Sequence, residues 1–105
     1  MKTFSERVVA CALSIPKGRV TTYGRIAEAA GGGRVASQSI TSILSKAWHA
    51  GEKKIPWHRI VYADGHVWLD SRTRKERLLL YKKEGIVLDK KDNIQNFRDI
   101  LYEFK

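Results

Sequence analysis

The sequence predicts a single, mainly α-helical domain with a small β-element, arranged as a helix-turn-helix with a wing-like piece. Three observations carry this expectation. The chain has 105 residues, room for one small domain. Apolar residues recur with a helical period in three stretches, and glycines or proline break the chain between them. The strand-like pieces are short and flank a turn signal at Asp64-Gly65.

Thr3 and Glu6 form a capping-box pattern that opens a helix with Phe4, Val8, Cys11 and Ile15 on one stripe. Ile15-Pro16-Lys17-Gly18 ends it. Arg19 to Thr21 is short and extended, and Thr22 caps a second helix over 23–30. Gly31-Gly32-Gly33 marks the next break. A third helix is expected over 35–48, with Ile40, Ile43, Leu44, Ala47 and Trp48 on its apolar side. Its other face is Ser37, Gln38, Thr41 and Ser45, with Ala36 and Ser39 near the start. A solvated helix face ordinarily carries Lys and Glu. This small, uncharged face suits close approach to the backbone, either by DNA in a helix-turn-helix or by a neighbouring helix. After a polar loop, pieces 60–62 and 66–68 are expected to form a hairpin. Asp70 or Ser71 caps a basic helix over 72–83 that ends at Gly85. Phe97, Ile100, Leu101 and Phe104 predict an amphipathic helix over about 93–104. No repeat or linker divides residues 1–105.

Composition narrows the function. Apolar residues make up 43% and charged residues 30%, the balance of a water-soluble globular chain. The apolar runs are too short for a membrane span. No apolar segment follows a basic start, so the expected location is cytoplasmic, nucleoid-associated, or nuclear in a eukaryote. The lone Cys11 leaves no internal disulfide and no cysteine-based zinc site. His49, His58 and His66 lack metal-ligand spacing, and there is no phosphate loop or dinucleotide fingerprint. Neither metal nor cofactor is expected. Twenty Lys and Arg against eleven Asp and Glu leave a net +9. Sixteen of the basic and seven of the acidic residues precede Asp89, so the whole excess lies there and the tail is neutral. Such a domain points to a polyanionic partner, most often nucleic acid.

The most specific stretch is Ile55-Pro56-Trp57-His58-Arg59-Ile60-Val61. It resembles the active-site motif Pro-Cys-His-Arg-Val of the O6-alkylguanine-DNA alkyltransferases, with Trp57 at the cysteine. In that family the cysteine takes the alkyl group from the damaged base in one suicidal transfer. Its thiolate is made reactive by the adjacent histidine, which is linked through water to a distant glutamate. Tryptophan at this position is the mark of the alkyltransferase-like proteins, which bind alkylated DNA without repairing it. Thr21-Thr22-Tyr23-Gly24 matches the family's segment at the start of its helix-turn-helix. Ser71 falls on a binding-loop serine, and Glu84-Gly85 on the histidine-linked glutamate and its glycine. The resemblance covers about residues 4–88. The family's separate N-terminal domain is unmatched, the expectation for the alkyltransferase-like branch.

Two positions depart from the family. The arginine that fills the stack behind a flipped base should fall near Ser37, and the nearest arginine is Arg34, about 4.5 Å away along a helix axis. Either Arg34 reaches in, or Gln38 inserts, or flipping is weak. The hinge asparagine before the motif is also absent, because the Ala47 to Lys54 loop is longer and different.

The resemblance implies a monomer that docks a helix in the minor groove of duplex DNA and flips an O6-alkylguanine. The lesion pocket would be Tyr23, Trp57, His58, Ser71 and Glu84. Thr22, Tyr23, Arg34 and Ala36 would contact the DNA, together with Ser37, Gln38, Thr41 and Arg59. Tyr23 would press on the phosphate 3′ to the lesion. Arg59 would either anchor the motif loop through backbone carbonyls or touch a phosphate. Trp57 offers the extruded base an apolar wall, about 1–3 kcal/mol by analogy with base–aromatic stacking. His58 and Glu84 would keep the family's hydrogen-bonded pair as scaffold. The flagged lesion would pass to nucleotide excision repair proteins. One rival is a winged-helix regulator reading sequence in the major groove. The serine-rich face opposes it, since base readout there usually needs more Arg, Lys, Asn or Gln. The other is an active methylated-DNA-protein-cysteine methyltransferase relative. It would have to use Cys11, more than forty residues out of register with the motif.

Overall fold

A computed structural model of the chain describes residues 3–32 and 37–104, with 37 and 38 described by backbone only. In chain order the elements are helix α1 (Phe4–Leu13), strand β1 (Thr21–Thr22), and helices α2 (Tyr23–Ala29) and α3 (Ser37–His49). A 3₁₀ turn (Trp57–Arg59), strand β2 (Ile60–Val61), helix α4 (Arg74–Lys83) and the short helix α5 (Phe97–Ile100) follow. The architecture is mainly helical with a small β-element, as the sequence predicts.

The first two helices start where their side chains dictate. Thr3 Oγ1 accepts from Glu6 N while the Glu6 carboxylate accepts from Thr3 N, the reciprocal capping box. Thr22 Oγ1 accepts from Arg25 N at 3.2 Å and caps α2. α1, α2 and α3 pack pairwise around Val8, Ala12, Ile26, Ile40 and Leu44. The buried stripe of α1 runs through Val8 and Ala12, which leaves Cys11 half-buried at its edge.

β1 and β2 run parallel, with Thr21 opposite Ile60 and Thr22 opposite Val61. Successive side chains on a strand point to opposite faces. Ile60 therefore enters the cluster of the three helices, and Val61 enters a second one with Val20, Val67, Tyr81, Ile86 and Ile94. This pairing joins the two cores. It also sets the Trp57–Arg59 turn and the start of α2 side by side.

Three expectations are corrected. The hairpin does not form, although its turn does: Gly65 N donates to Tyr62 O at 2.9 Å and Tyr62 N to His66 O at 3.1 Å. β2 pairs with β1 instead, and His66 bridges to Asn93 while Val67 N donates to Asp92 O. The basic helix starts at Arg74 rather than 72. Asp70 Oδ1 accepts from Arg72 N, Thr73 N and the Thr73 hydroxyl at 2.9, 2.7 and 2.8 Å, which holds 71–73 in a turn ahead of the helix. Ser71 lies exposed in that turn. The helix expected over 93–104 shrinks to α5, entered by Asn96 at φ +56° and left by an extended Leu101. Val20 N donates to Ile100 O at 3.0 Å and Tyr102 N to Val20 O at 2.7 Å. Residue 101 thus joins a strand-like bridge with Val20 rather than a helix. The i, i+3, i+4, i+7 spacing is met by two geometries: Phe97 and Ile100 pack on the second core, Tyr102 and Phe104 on the first. The start of the third helix at 35, with Arg34 and Ala36, lies outside the described residues.

Candidate nucleic-acid interface

One carboxylate organises the motif. Glu84 closes α4, whose end is shaped by Gly85 at φ +75°, with Ile86 N donating to Tyr81 O and Gly85 N to Lys82 O. Arg59 grips Glu84 with two parallel bonds, Nε to Oε1 at 2.9 Å and Nη2 to Oε2 at 2.8 Å. His58 Nε2 lies 2.6 Å from Oε2, and Gly18 N donates to Oε1 at 3.0 Å. Gly18 sits at φ +81°, and a side chain there would meet the Glu84 carbonyl oxygen at 3.4 Å. The third Arg59 contact runs from Nη1 to Ile15 O at 3.0 Å. The loop after α1, the Trp57–Arg59 turn and the end of α4 are thereby tied at one point.

Burial alone would raise the Glu84 pKa. The donors from Arg59, Gly18 and His58 outweigh it and hold the carboxyl at about 2. Burial pushes His58 below its ordinary value against the pull of the Glu84 bond and charge. At neutral pH the imidazole is therefore uncharged and donates its Nε2–H to an ionised Glu84. The pair is in direct contact. Trp57 stands one residue before it and has no nucleophilic atom.

Two depressions flank this turn. Trp57, half-buried and edge-on to Trp48 with ring centroids 6.3 Å apart, lines one of about 390 Å³. Tyr23 lines a cleft of about 400 Å³ with Thr41, Tyr62, His66 and Trp68. Its ring lies 6.2 Å from that of Tyr62, because parallel pairing of β1 and β2 places residues 23 and 62 one step beyond the paired positions. Burial, helped by Tyr62, raises the pKa of its hydroxyl against the opposing pull of Arg77 and Thr41. Arg77 of α4 lines both depressions. A larger groove of about 970 Å³ between α1 and α3 contains none of the motif's residues.

The structure brings together only part of the site expected from sequence. Trp57 and His58 line one depression, Tyr23 the neighbouring one, and Glu84 lies behind the turn as its anchor. Exposed Ser71 lines neither. The Thr22 hydroxyl is occupied in capping α2, and the Arg59 side chain is only 14% exposed, tied to Glu84. Thr41 is exposed at the rim of the Tyr23 cleft. The side chains of Ser37 and Gln38 lie outside the described residues, as Arg34 and Ala36 do. Sequence reasoning missed Arg77, Tyr62 and Trp68. For Arg77 a signal existed: it stands four residues before Tyr81, the buried residue of α4, and so shares its face. Among the described residues no group of three or more His, Cys, Asp or Glu is placed to hold a metal ion.

A three-helix core with a helix-turn-helix, coupled by a short parallel pair to a locked Pro-Trp-His-Arg turn, defines a DNA-binding domain of alkyltransferase architecture. Residues 3–86 match the family model of the 6-O-methylguanine DNA methyltransferase DNA-binding domain, and the chain belongs to that family. It is similar to the DNA base-flipping protein of Escherichia coli (strain K12), 34% identical over 89 residues covering 82% of this chain. The chain spans 64% of the length of that relative. A DNA base-flipping protein of Vibrio parahaemolyticus is 31% identical over 94 residues, covering 82% of this chain and 83% of its own. The fold matches that of S. pombe Atl1, solved in complex with damaged DNA containing O6-carboxymethylguanine. The TM-score is 0.73 at 22% identity, over 99% of this chain and 100% of that one. Mycobacterium tuberculosis OGT matches with a TM-score of 0.58 at 23% identity, over 80% of this chain and 49% of the other.

Proposed function

We propose that the chain binds O6-alkylguanine in duplex DNA and flips the modified base without accepting its alkyl group. α3 docks in the minor groove, and the occupied complex marks the lesion for nucleotide excision repair. The observation that carries this reading is Trp57, which stands where the alkyltransferase motif has its nucleophile, on a turn locked by Glu84 and beside an open depression. An alkyl group on O6 weakens pairing and lowers the cost of extruding the base. The indole then offers a stacking surface. The naming of two relatives as base-flipping proteins and the DNA complex of Atl1 support the reading. The net charge of +9 supplies attraction to the phosphates. Cys11 gives a transferase no support, because burial pushes its thiol pKa up and keeps it protonated.

The test uses matched duplexes that differ in one O6-methylguanine, with binding read by fluorescence anisotropy and transfer read with a radiolabelled methyl group. Tighter binding to the lesion duplex with an unlabelled protein is expected. Equal affinity for the two duplexes would overturn lesion recognition, and label on the protein would overturn the non-transferring role.

A further inference from the structure

We propose that Arg77 determines specificity within this site and favours O6 adducts that carry a negative charge. The inference rests on the lesion-binding reading and extends it to the class of adduct. Arg77 forms a wall common to the Tyr23 cleft and the Trp57 depression, where an extruded base and its O6 substituent would lie. Every Asp and Glu of the chain is among the described residues. Among the described residues, the ion pairs they form engage Arg25, His58, Arg59 and Arg74 and not Arg77.

Helix geometry explains why this cation points inward. Arg77 and Tyr81 are spaced four apart and share one face of α4, and Tyr81 on that face is 1% exposed. The charge is felt inside the fold: it works against the burial that raises the pKa values of Tyr23 and Tyr81, and with the burial that lowers that of His58. A second donor nearby lacks an acceptor, since the buried Tyr81 hydroxyl has no hydrogen-bond partner among the described residues. The balance of charge around Trp57 is also positive. Lys53, Lys54 and Arg77 face a single carboxylate, Glu76, once Arg59 is discounted as already paired with Glu84.

A half-buried guanidinium with no carboxylate partner among the described residues is an unspent recognition group. Its fork of N–H donors matches a carboxylate in shape and charge, and a plain alkyl group leaves it unanswered. An O6 substituent ending in a carboxylate would supply the missing partner without changing the part of the site that holds the base.

Three duplexes test this, identical except for guanine, O6-methylguanine or O6-carboxymethylguanine at one position. Anisotropy titrations at one salt concentration compare the native chain with Arg77→Gln and Arg77→Lys, with thermal melts to establish that each variant is folded. The native chain should bind the carboxymethyl duplex about tenfold more tightly than the methyl duplex, the scale of one hydrogen bond to a charged group. Arg77→Gln should abolish that advantage, weakening the carboxymethyl duplex about tenfold more than the methyl duplex. Arg77→Lys should retain part of it, having the charge without the fork. Two results would overturn the proposal alone: equal affinity for the two adducts, both above undamaged DNA, or equal losses on all three duplexes in Arg77→Gln, the behaviour of a phosphate contact. Failure of the native chain to prefer either adduct over guanine would overturn the lesion-binding reading itself.

Discussion

Glu84 gathers the loop at Gly18, the turn at His58-Arg59 and the end of α4 onto a single carboxylate. Removing it strands a mostly buried guanidinium, so Glu84→Ala should destabilise the fold by about 3–5 kcal/mol in urea unfolding. Its pKa of about 2 against an ordinary 4.5 means that the folded state binds fewer protons than the unfolded state. The contribution is complete above pH 4.5 and is lost as pH falls through about 2. Stability should therefore fall more steeply on acidification for the native chain than for Glu84→Gln, and parallel curves would show that the tie adds nothing. Tyr81→Phe acts in the opposite sense. It deletes a buried hydroxyl that has no partner among the described residues and should raise stability by about 1 kcal/mol, read from a thermal melt. At Trp57 the effect belongs to binding: Trp57→Ala should cost about 1–3 kcal/mol on the lesion duplex.

Among the elements, the bridge between Val20 and the chain end shows how a short apolar pattern is overruled. Helical spacing at Phe97, Ile100, Leu101 and Phe104 was a sound local signal. The buried backbone of Val20 needs partners, however, and Ile100 O and Tyr102 N supply them only if residue 101 is extended. Tyr102→Pro deletes that N–H and should lower stability by about 1–3 kcal/mol, whereas an unchanged melt would mean that the bridge contributes little. The helix-turn-helix carries a different prediction. Arg34 lies outside the described residues, and its test is functional. If it takes the place of the intercalating arginine, Arg34→Ala should weaken lesion binding more than binding to undamaged DNA, and Ser37→Arg should tighten lesion binding. Equal losses on both duplexes from Arg34→Ala, with no gain from Ser37→Arg, would remove Arg34 from that role.

For the whole molecule, the basic excess before Asp89 could neutralise on the order of four to six phosphates. The logarithm of the DNA affinity should then fall with the logarithm of salt concentration with a slope of roughly −4 to −5, and a slope near zero would rule out phosphate contacts as the main attraction. This charge, the capped starts of α1 and α2, the apolar stripe of α3 and the Pro56-Trp57-His58-Arg59 motif were all legible in the sequence. Each is a local property, set by composition or by residues within about one helical turn. The pairing of Glu84 with His58 was legible through family resemblance alone, since twenty-six residues separate them. The tertiary structure decided the rest. It paired β2 with β1, and so placed Tyr23 beside Tyr62 in a cleft apart from Trp57. It turned Arg59 onto Glu84 and carried Arg77 to the wall between the two depressions. A residue's periodicity and capping pattern are written in its neighbours. Which distant group satisfies a strand edge, a carboxylate or a buried carbonyl is settled only when all the candidates compete within one packed volume.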